Sequence, residues 1–99
     1  MATVATPQTL TGVLPAIRAR REEIEKARRF ARIIVSDIAL YNQEAVVEGI
    51  KKGTFYELLK DDITEGRVVY DNRVPEAIRM TKDYLQEAFD DFLAAKKKR

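Results

Sequence analysis

The chain has 99 residues, of which 45% are hydrophobic and 34% charged, and its formal net charge is +2. That length supports one small domain, and so small a charge excess does not require a nucleic-acid partner. The absence of cysteine and histidine excludes disulfides, thiolate nucleophiles and zinc–cysteine sites, along with the usual general base near neutral pH. We therefore expect no enzymatic activity, no metal site and no cofactor.

The first residues contain no basic leader followed by a continuous apolar segment, and no apolar run approaches the ~18 residues of a membrane span. We therefore expect a cytoplasmic protein without membrane contact. Residues 1–14 are rich in threonine and alanine, which predicts a flexible N-terminal arm ahead of a single helical domain over residues 15–95. Residues 96–99 read KKKR and form a basic tail.

The first predicted helix begins at Pro15, a residue that suits the first helical position, and runs to about Gly49. Its apolar residues recur at heptad spacing with one break at Arg20. A stripe with this spacing is typical of a helix that packs along another helix. The central residues of the stripe are called the seam below: Ile24, Ala27, Ala31, Ile34, Ile38 and Tyr41.

The second predicted helix covers residues 54–72 and opens on TFYE. This is a capping box, in which Thr54 bonds forward to the amide of Glu57 and the Glu57 carboxylate reaches back to the amide of Thr54. Gly66 costs such a helix ~1 kcal/mol relative to alanine, which fits either the close approach of another backbone or simple tolerance at the surface. Pro75 ends this helix, and a third amphipathic helix is predicted over residues 75–95.

Three amphipathic helices predict an all-α fold, an up-down-up three-helix bundle with a long first helix. The second helix is about half as long as the first, so it leaves the apolar stripe over residues 17–31 without cover, and the third helix can reach only part of that stripe. A second copy of the chain is the simplest cover for that stripe. The sequence therefore predicts an intertwined or coiled-coil-like homodimer that forms along the seam.

The middle of the first helix contains an acid, Asp37, within the apolar stretch FARIIVSDIALYN. The apolar arc there spans more than half of the helix, which predicts contact from at least two sides. A buried carboxylate needs a cation or several hydrogen-bond donors. Arg67 or Arg73 could form a bidentate ion pair with Asp37 that sets the helix register. The alternative is that Asp37 lies at a helix–helix boundary partly open to water.

Nucleic-acid binding is an alternative function. Seven cations lie in the first half of the first helix, and the KKKR tail adds others. The acids Glu22, Glu23 and Glu25 lie among these cations and would repel phosphates. Alternating charges on a long helix are more typical of a solvated surface.

A third possible function is suggested by the overall outline of the predicted fold. A short chain with three helices and a very long first helix resembles the all-helical chorismate mutases, in which Arg and Lys side chains bind two substrate carboxylates. The first predicted helix has four arginines that could bind carboxylates in this way, but they lie all around the helix instead of converging on one face. They are Arg18, Arg28, Arg29 and Arg32.

A longer pattern runs through ARIIVSDIALYN and FYELLKDDITEGRVVY. Its positions are Ala31, Arg32, Val35, Ser36, Asp37, Ile38, Leu40, Tyr41, Asn42, Phe55, Tyr56, Glu57, Asp62, Ile63, Gly66, Arg67 and Tyr70. This pattern, within residues 27–73, resembles a helical segment of bacterial proteins that often follows zinc-ribbon or other regulatory parts. The resemblance implies a bacterial interaction module and no reaction. We therefore expect a non-enzymatic adaptor or oligomerising scaffold that binds a second copy and another protein.

Overall fold

The computed structural model describes residues 2–98, with side chains from residue 13 onward, and helices make up most of that range. They are α1 (Ala2–Tyr41), α2 (Gln43–Lys52), α3 (Phe55–Leu58), α4 (Lys60–Arg73), α5 (Glu76–Arg79) and α6 (Tyr84–Lys97). No strand occurs within residues 2–98, so the predicted all-α class is confirmed. The predicted count of three helices is wrong, because breaks at Asn42, at Leu59 and over residues 80–83 divide the predicted helices.

The first predicted helix has both of its ends misplaced. Its start at Pro15 is wrong, because α1 begins at Ala2 and takes in residues 2–14 of the predicted arm. Its end at Gly49 is also wrong, because Asn42 leaves helical geometry at a φ of −135°. The Asn42 Nδ2 donates to the Ile38 carbonyl at 2.7 Å and to Oδ2 of Asp62 at 2.6 Å. Asn42 thus ends α1 and ties that end to α4.

The turn between α2 and α3 depends on two glycines. Gly53 adopts a left-handed φ of 72° after the last residue of α2, a conformation that glycine adopts without strain. The Gly49 carbonyl accepts from the Gly53 amide and, at 2.8 Å, from the Thr54 amide. A side chain at Gly49 would meet the backbone of Phe55, since a Cβ there would lie 2.6 Å from the Phe55 Cα. The two helices can therefore approach each other only with glycine at this position.

The predicted capping box is wrong in its hydrogen bonds, although Thr54 does occupy the N-cap of α3. Thr54 has a ψ of 25° and makes no side-chain cap bond. Its amide is already bonded to the Gly49 carbonyl, so the Glu57 carboxylate has no free N-cap amide to reach. The α2–α3 turn has taken the donor that the capping box requires.

The third predicted helix is divided at residues 80–83, and α6 begins with a cap that lies inside the predicted helix. Asp83 is the N-cap of α6, and its Oδ1 accepts from the Gln86 amide at 3.0 Å. α6 then extends to Lys97, past the predicted end of the domain at residue 95. Of the predicted tail, Arg99 lies outside the described residues.

The core lies between the second half of α1 and the helices α4 and α6. Gly66 of α4 faces Ile34 and Ile38, and Arg73 lies over Phe30, so α4 runs opposite to α1. The tight approach to α1 accounts for glycine at position 66. α6 runs in the direction of α1, because its first turn contacts Arg28 while its last turns lie near Leu40. The buried side chains of this core are Ala27, Ala31, Ile34, Val35, Val46, Phe55, Leu59, Tyr70, Val74, Ile78, Tyr84, Leu85, Ala88 and Phe89.

The first half of α1 projects from this body. Residues 13–22 are all exposed, and burial begins only at residue 23. Forty residues of helix extend ~60 Å, and the molecule measures 67 × 29 × 17 Å. Within residues 2–98, no helix combines the length and apolar character needed to cross a membrane.

Candidate interaction surface

The predicted dimer seam lies mostly inside the chain's own core. Ala27, Ala31 and Ile34 are buried, and Ile24 and Ile38 pack partly buried against the same core. Tyr41 is the exception, with 82% of its surface exposed. The heptad spacing indicated correctly which side of α1 is covered. The expected cover was wrong, because α4 and α6 of the same chain fill that role and leave these residues closed to a second copy.

The predicted buried pair of Asp37 with Arg67 or Arg73 is also wrong. Asp37 is exposed, and no described residue forms a salt bridge with it. Arg67 instead binds Asp83 through two hydrogen bonds of 3.0 Å. The guanidinium of Arg73 lies 4.8 Å from the centre of the Phe30 ring. Asp37 needs no buried partner because no helix of the chain covers the side of α1 on which it lies.

That uncovered side of α1 adjoins one side of α4, and together they form a single surface. We call it the α1–α4 face. It contains exposed apolar residues from both helices, with Ile33 51% exposed and Val69 45% exposed. Its residues are Lys26, Arg29, Phe30, Ile33, Asp37 and Tyr41 of α1 and Asp62, Glu65, Val69 and Arg73 of α4.

One end of the α1–α4 face is basic. A groove of about 310 Å³ lies there between α1 and the end of α4. Three cations line this groove, Lys26, Arg29 and Arg73, together with a single acid, Glu23. Its apolar lining comes from Phe30, Ile33, Val74 and Pro75.

The other end of the α1–α4 face is acidic. A groove of about 380 Å³ there is lined by Asp37, Asp62 and Glu65, with no cation among its lining residues. Asp62 is bonded to Asn42, whereas Asp37 and Glu65 form no salt bridge within the described residues. The described part of the chain contains no group of three acidic side chains placed to hold a metal ion. The apolar lining is Ile34, Ile38, Tyr41 and Val69.

A separate polar network joins α4 to the start of α6 and explains the role of Arg67. The Tyr70 hydroxyl accepts from the Tyr84 amide at 3.2 Å, so it satisfies a free donor in the first turn of α6. Burial raises the pKa of Tyr70. Burial also pushes the pKa of Asp83 upward, but the hydrogen bonds from Arg67 and from the Gln86 amide outweigh that effect and hold the pKa below its ordinary value.

The same network extends to α1 through Glu87. Its carboxylate accepts from Nε of Arg28 at 3.0 Å and lies 2.8 Å from Nζ of Lys82. The hydrogen bonds from Lys82 and Arg28 hold the pKa of Glu87 below its ordinary value. These ion pairs connect three parts of the fold. The sequence offered one local signal for them, the Asp83-x-x-Gln86 spacing of a helix start.

The lowered carboxylate pKa of Asp83 predicts acid sensitivity. A folded-state pKa below the ordinary value of 3.8 gives stability that is present above that pH and is lost as the pH falls through the lower folded value. Asp83→Asn keeps a good helix cap and removes the charge. We expect it to cost ~0.5–1 kcal/mol at pH 7, because the pair is half exposed, and progressively less below pH ~4. Thermal unfolding followed by circular dichroism at pH 7 and pH 3 measures this difference. An equal difference at both pH values would contradict the assignment.

The cations that suggested other functions are interleaved with acids or paired with them. Arg18 and Arg29 line one shallow surface of α1 together with Arg21 and Lys26, and the acids Glu22 and Glu25 lie among these cations. Arg28 is paired with Glu87, and Arg29 also lies at the basic end of the α1–α4 face. Arg18, Arg28 and Arg29, three of the arginines that the chorismate-mutase outline suggested, therefore do not line a common groove.

Two uncovered surfaces thus stand out, the α1–α4 face and the projecting half of α1. The first contains exposed apolar side chains between a basic end and an acidic end. The second carries Val13, Leu14 and Ile17 exposed among charges of both signs. No protein-family model matches this chain, and neither a curated protein nor a solved structure matches it.

Proposed function

We propose that this chain is a non-enzymatic protein–protein association module that acts as a homodimer in the bacterial cytoplasm. In this proposal α1, α4 and α6 of each copy form an up-down-up bundle, and the uncovered side of α1 takes part in the dimer. The dimer would serve as an adaptor or scaffold to which a further protein binds.

One observation supports this proposal above the others. Three large apolar side chains of the α1–α4 face are exposed, Ile33 by 51%, Tyr41 by 82% and Val69 by 45%. Single exposed apolar residues are ordinary, but a contiguous apolar patch bordered by polar residues is typical of protein–protein interfaces. Tyrosine is also enriched at such interfaces. A second copy would remove this patch from water without any change to the fold.

The proposal predicts a molar mass of twice 11.3 kDa by static light scattering, falling toward the monomer value on dilution. Ile33→Ser is expected to raise the dissociation constant at least about tenfold. Full burial of an isoleucine side chain is worth ~1.5–3 kcal/mol, and each 1.4 kcal/mol corresponds to about tenfold.

The matched control is Val68→Ser. Val68 is 53% exposed but lies on the side of α4 away from α1, so its replacement should leave the dissociation constant unchanged. A mass of 11.3 kDa for the unaltered chain at every concentration would contradict the proposed function. Equal weakening by the two serine variants would rule out this side of α1 as the dimer surface.

A further inference from the structure

The two helices of the α1–α4 face share the same arrangement of residues. In α1 the exposed Ile33 lies four residues after Arg29 and four residues before Asp37. In α4 the exposed Val69 lies four residues after Glu65 and four residues before Arg73. Residues four apart lie on the same side of a helix, ~6 Å along its axis. Each helix thus presents an apolar centre between a cation and an acid.

The order of the charges is reversed between the two helices, and so is the direction of the helices. Since α4 runs opposite to α1, Arg29 and Arg73 come together in the basic groove. Asp37 and Glu65 come together in the acidic groove. None of these four side chains forms a salt bridge within the described residues. The face is therefore self-complementary in charge, with its two apolar residues in the middle.

We propose that two copies of the chain associate through this face about a two-fold axis that crosses α1 at Ile33 and α4 at Val69. This inference rests on the proposed function and adds the surface and the register. In a two-fold dimer the same surface of each copy faces the other. Across this axis Arg29 lies opposite Asp37 of the second copy, and Arg73 lies opposite Glu65 of the second copy. Ile33 and Val69 each lie opposite their own counterparts.

Charge selects this axis over the other two-fold arrangement of the same face. An axis parallel to the helices would place the basic end on the basic end and the acidic end on the acidic end. Like charges across an interface are unfavourable, and opposite charges fix the register.

The size of the face sets the concentration at which the dimer should be measured. From Lys26 to Tyr41 the face extends ~22 Å along α1, and two packed helices give a width of ~20 Å. This footprint of roughly 400 Å² is about half of what each partner contributes to a standard stable interface. We therefore expect a dissociation constant in the micromolar range, which a dilution series from millimolar to submicromolar protein covers.

Charge exchange tests the register. In a dimer of Arg29→Glu, the new carboxylate at position 29 faces Asp37 of the other copy at both contacts. In a dimer of Asp37→Arg, two guanidinium groups face each other at both contacts. Each variant is expected to raise the dissociation constant at least about tenfold. An equimolar mixture of the two variants should return to the dimer mass of the unaltered chain, because the mixed dimer then contains one pair of opposite charges in each of its two contacts. The measurement is light-scattering molar mass, with circular dichroism to verify that each variant is folded.

Arg32→Glu is the matched control, since Arg32 is exposed on α1 but lies away from the α1–α4 face. It should leave the dissociation constant unchanged. An unaltered chain that stays monomeric throughout overturns both the register and the proposed function. A dimer whose mass neither single exchange changes overturns the register alone. Tighter association of Arg29→Glu would identify the like-on-like arrangement and would also overturn the register.

Discussion

Replacing Phe89 by alanine is expected to destabilise the fold by about 3–5 kcal/mol. Phe89 is 2% exposed and lies where α6 meets α3. Its ring meets those of Phe55 and Tyr56 nearly edge-on, at centroid distances of 6.1 Å and 6.0 Å. Truncation removes both aromatic contacts and leaves a cavity between the helices. The helices cannot close this cavity without losing contacts elsewhere. Because small domains are stable by only ~5–15 kcal/mol, this variant loses a large share of the total.

Urea unfolding followed by circular dichroism measures this loss. The control is Phe92→Ala in the same helix, since Phe92 is only partly buried and packs at a tilt on Phe55. The loss of stability in Phe92→Ala should be about half as large as that in Phe89→Ala, because the Phe92 side chain buries less surface on folding. Equal losses for the two variants, or a loss of less than ~1 kcal/mol for Phe89→Ala, would show that α6 does not hold α3 in the way described.

Gly49→Ala is expected to destabilise the fold by ~2 kcal/mol, although alanine favours a helix over glycine by ~1 kcal/mol. The added Cβ would lie 2.6 Å from the Phe55 Cα and 3.0 Å from the Phe55 nitrogen. Backbone atoms cannot rotate away, so α3 must shift relative to α2. That shift disturbs the hydrogen bond from Thr54 to the Gly49 carbonyl.

Gly66→Ala gives the contrast within the same protein. Its Cβ would meet the Cγ2 of Ile34 at 2.9 Å and the Cδ1 of Ile38 at 3.2 Å. The Cδ1 of Ile38 lies at the free end of its side chain and can move aside. The Cγ2 of Ile34 branches from Cβ and is held by the χ1 preference of isoleucine in a helix, so part of the strain remains, and the gain in helix propensity offsets part of it. We expect the free energy of unfolding to stay within ~1 kcal/mol of the unaltered chain. A loss as large as that of Gly49→Ala, measured by the same urea titration, would contradict the distinction between backbone and side-chain contact.

The helical class and the covered side of α1 could be predicted from sequence spacing alone. Ala27, Ala31 and Ile34 are buried as their heptad positions indicate. Spacing identifies which side of a helix avoids water, but it carries no information about what covers that side. For this reason the heptad pattern predicts a second copy at the seam, whereas α4 and α6 of the same chain occupy it.

The helix breaks could not be predicted in the same way, because they depend on specific hydrogen bonds outside the repeating apolar pattern. Asn42 ends α1 where its side chain meets Asp62, twenty residues away. The Thr54–Glu57 box fails because the Gly49 carbonyl takes the Thr54 amide. The Asp83-x-x-Gln86 spacing does indicate a cap at Asp83, but it lies within a continuous amphipathic pattern that predicts an unbroken helix. The repeating apolar pattern predicts helices well, and specific hydrogen bonds outside that pattern, both local and tertiary, decide where those helices stop.

The position of Asp37 shows how an acid in an apolar arc can be misread. The wide arc predicted contact from two sides, and the buried-pair hypothesis followed from that premise. Within the chain α4 and α6 both contact α1, but neither covers Asp37, which is exposed. Asp37 instead lies at the boundary between α1 and α4 and is open to water, which is the alternative that the same arc allows.

The projecting half of α1 has a consequence for how the protein behaves in gel filtration. The radius of gyration is 18.8 Å, whereas a compact chain of about 100 residues has a radius near 13 Å. Elution from a gel column follows hydrodynamic size, so a monomer with this shape leaves the column early, near the position of a compact globular protein of larger mass. Comparison with globular standards would therefore indicate an oligomer even where none forms, and the same elongation would make a true dimer seem larger still.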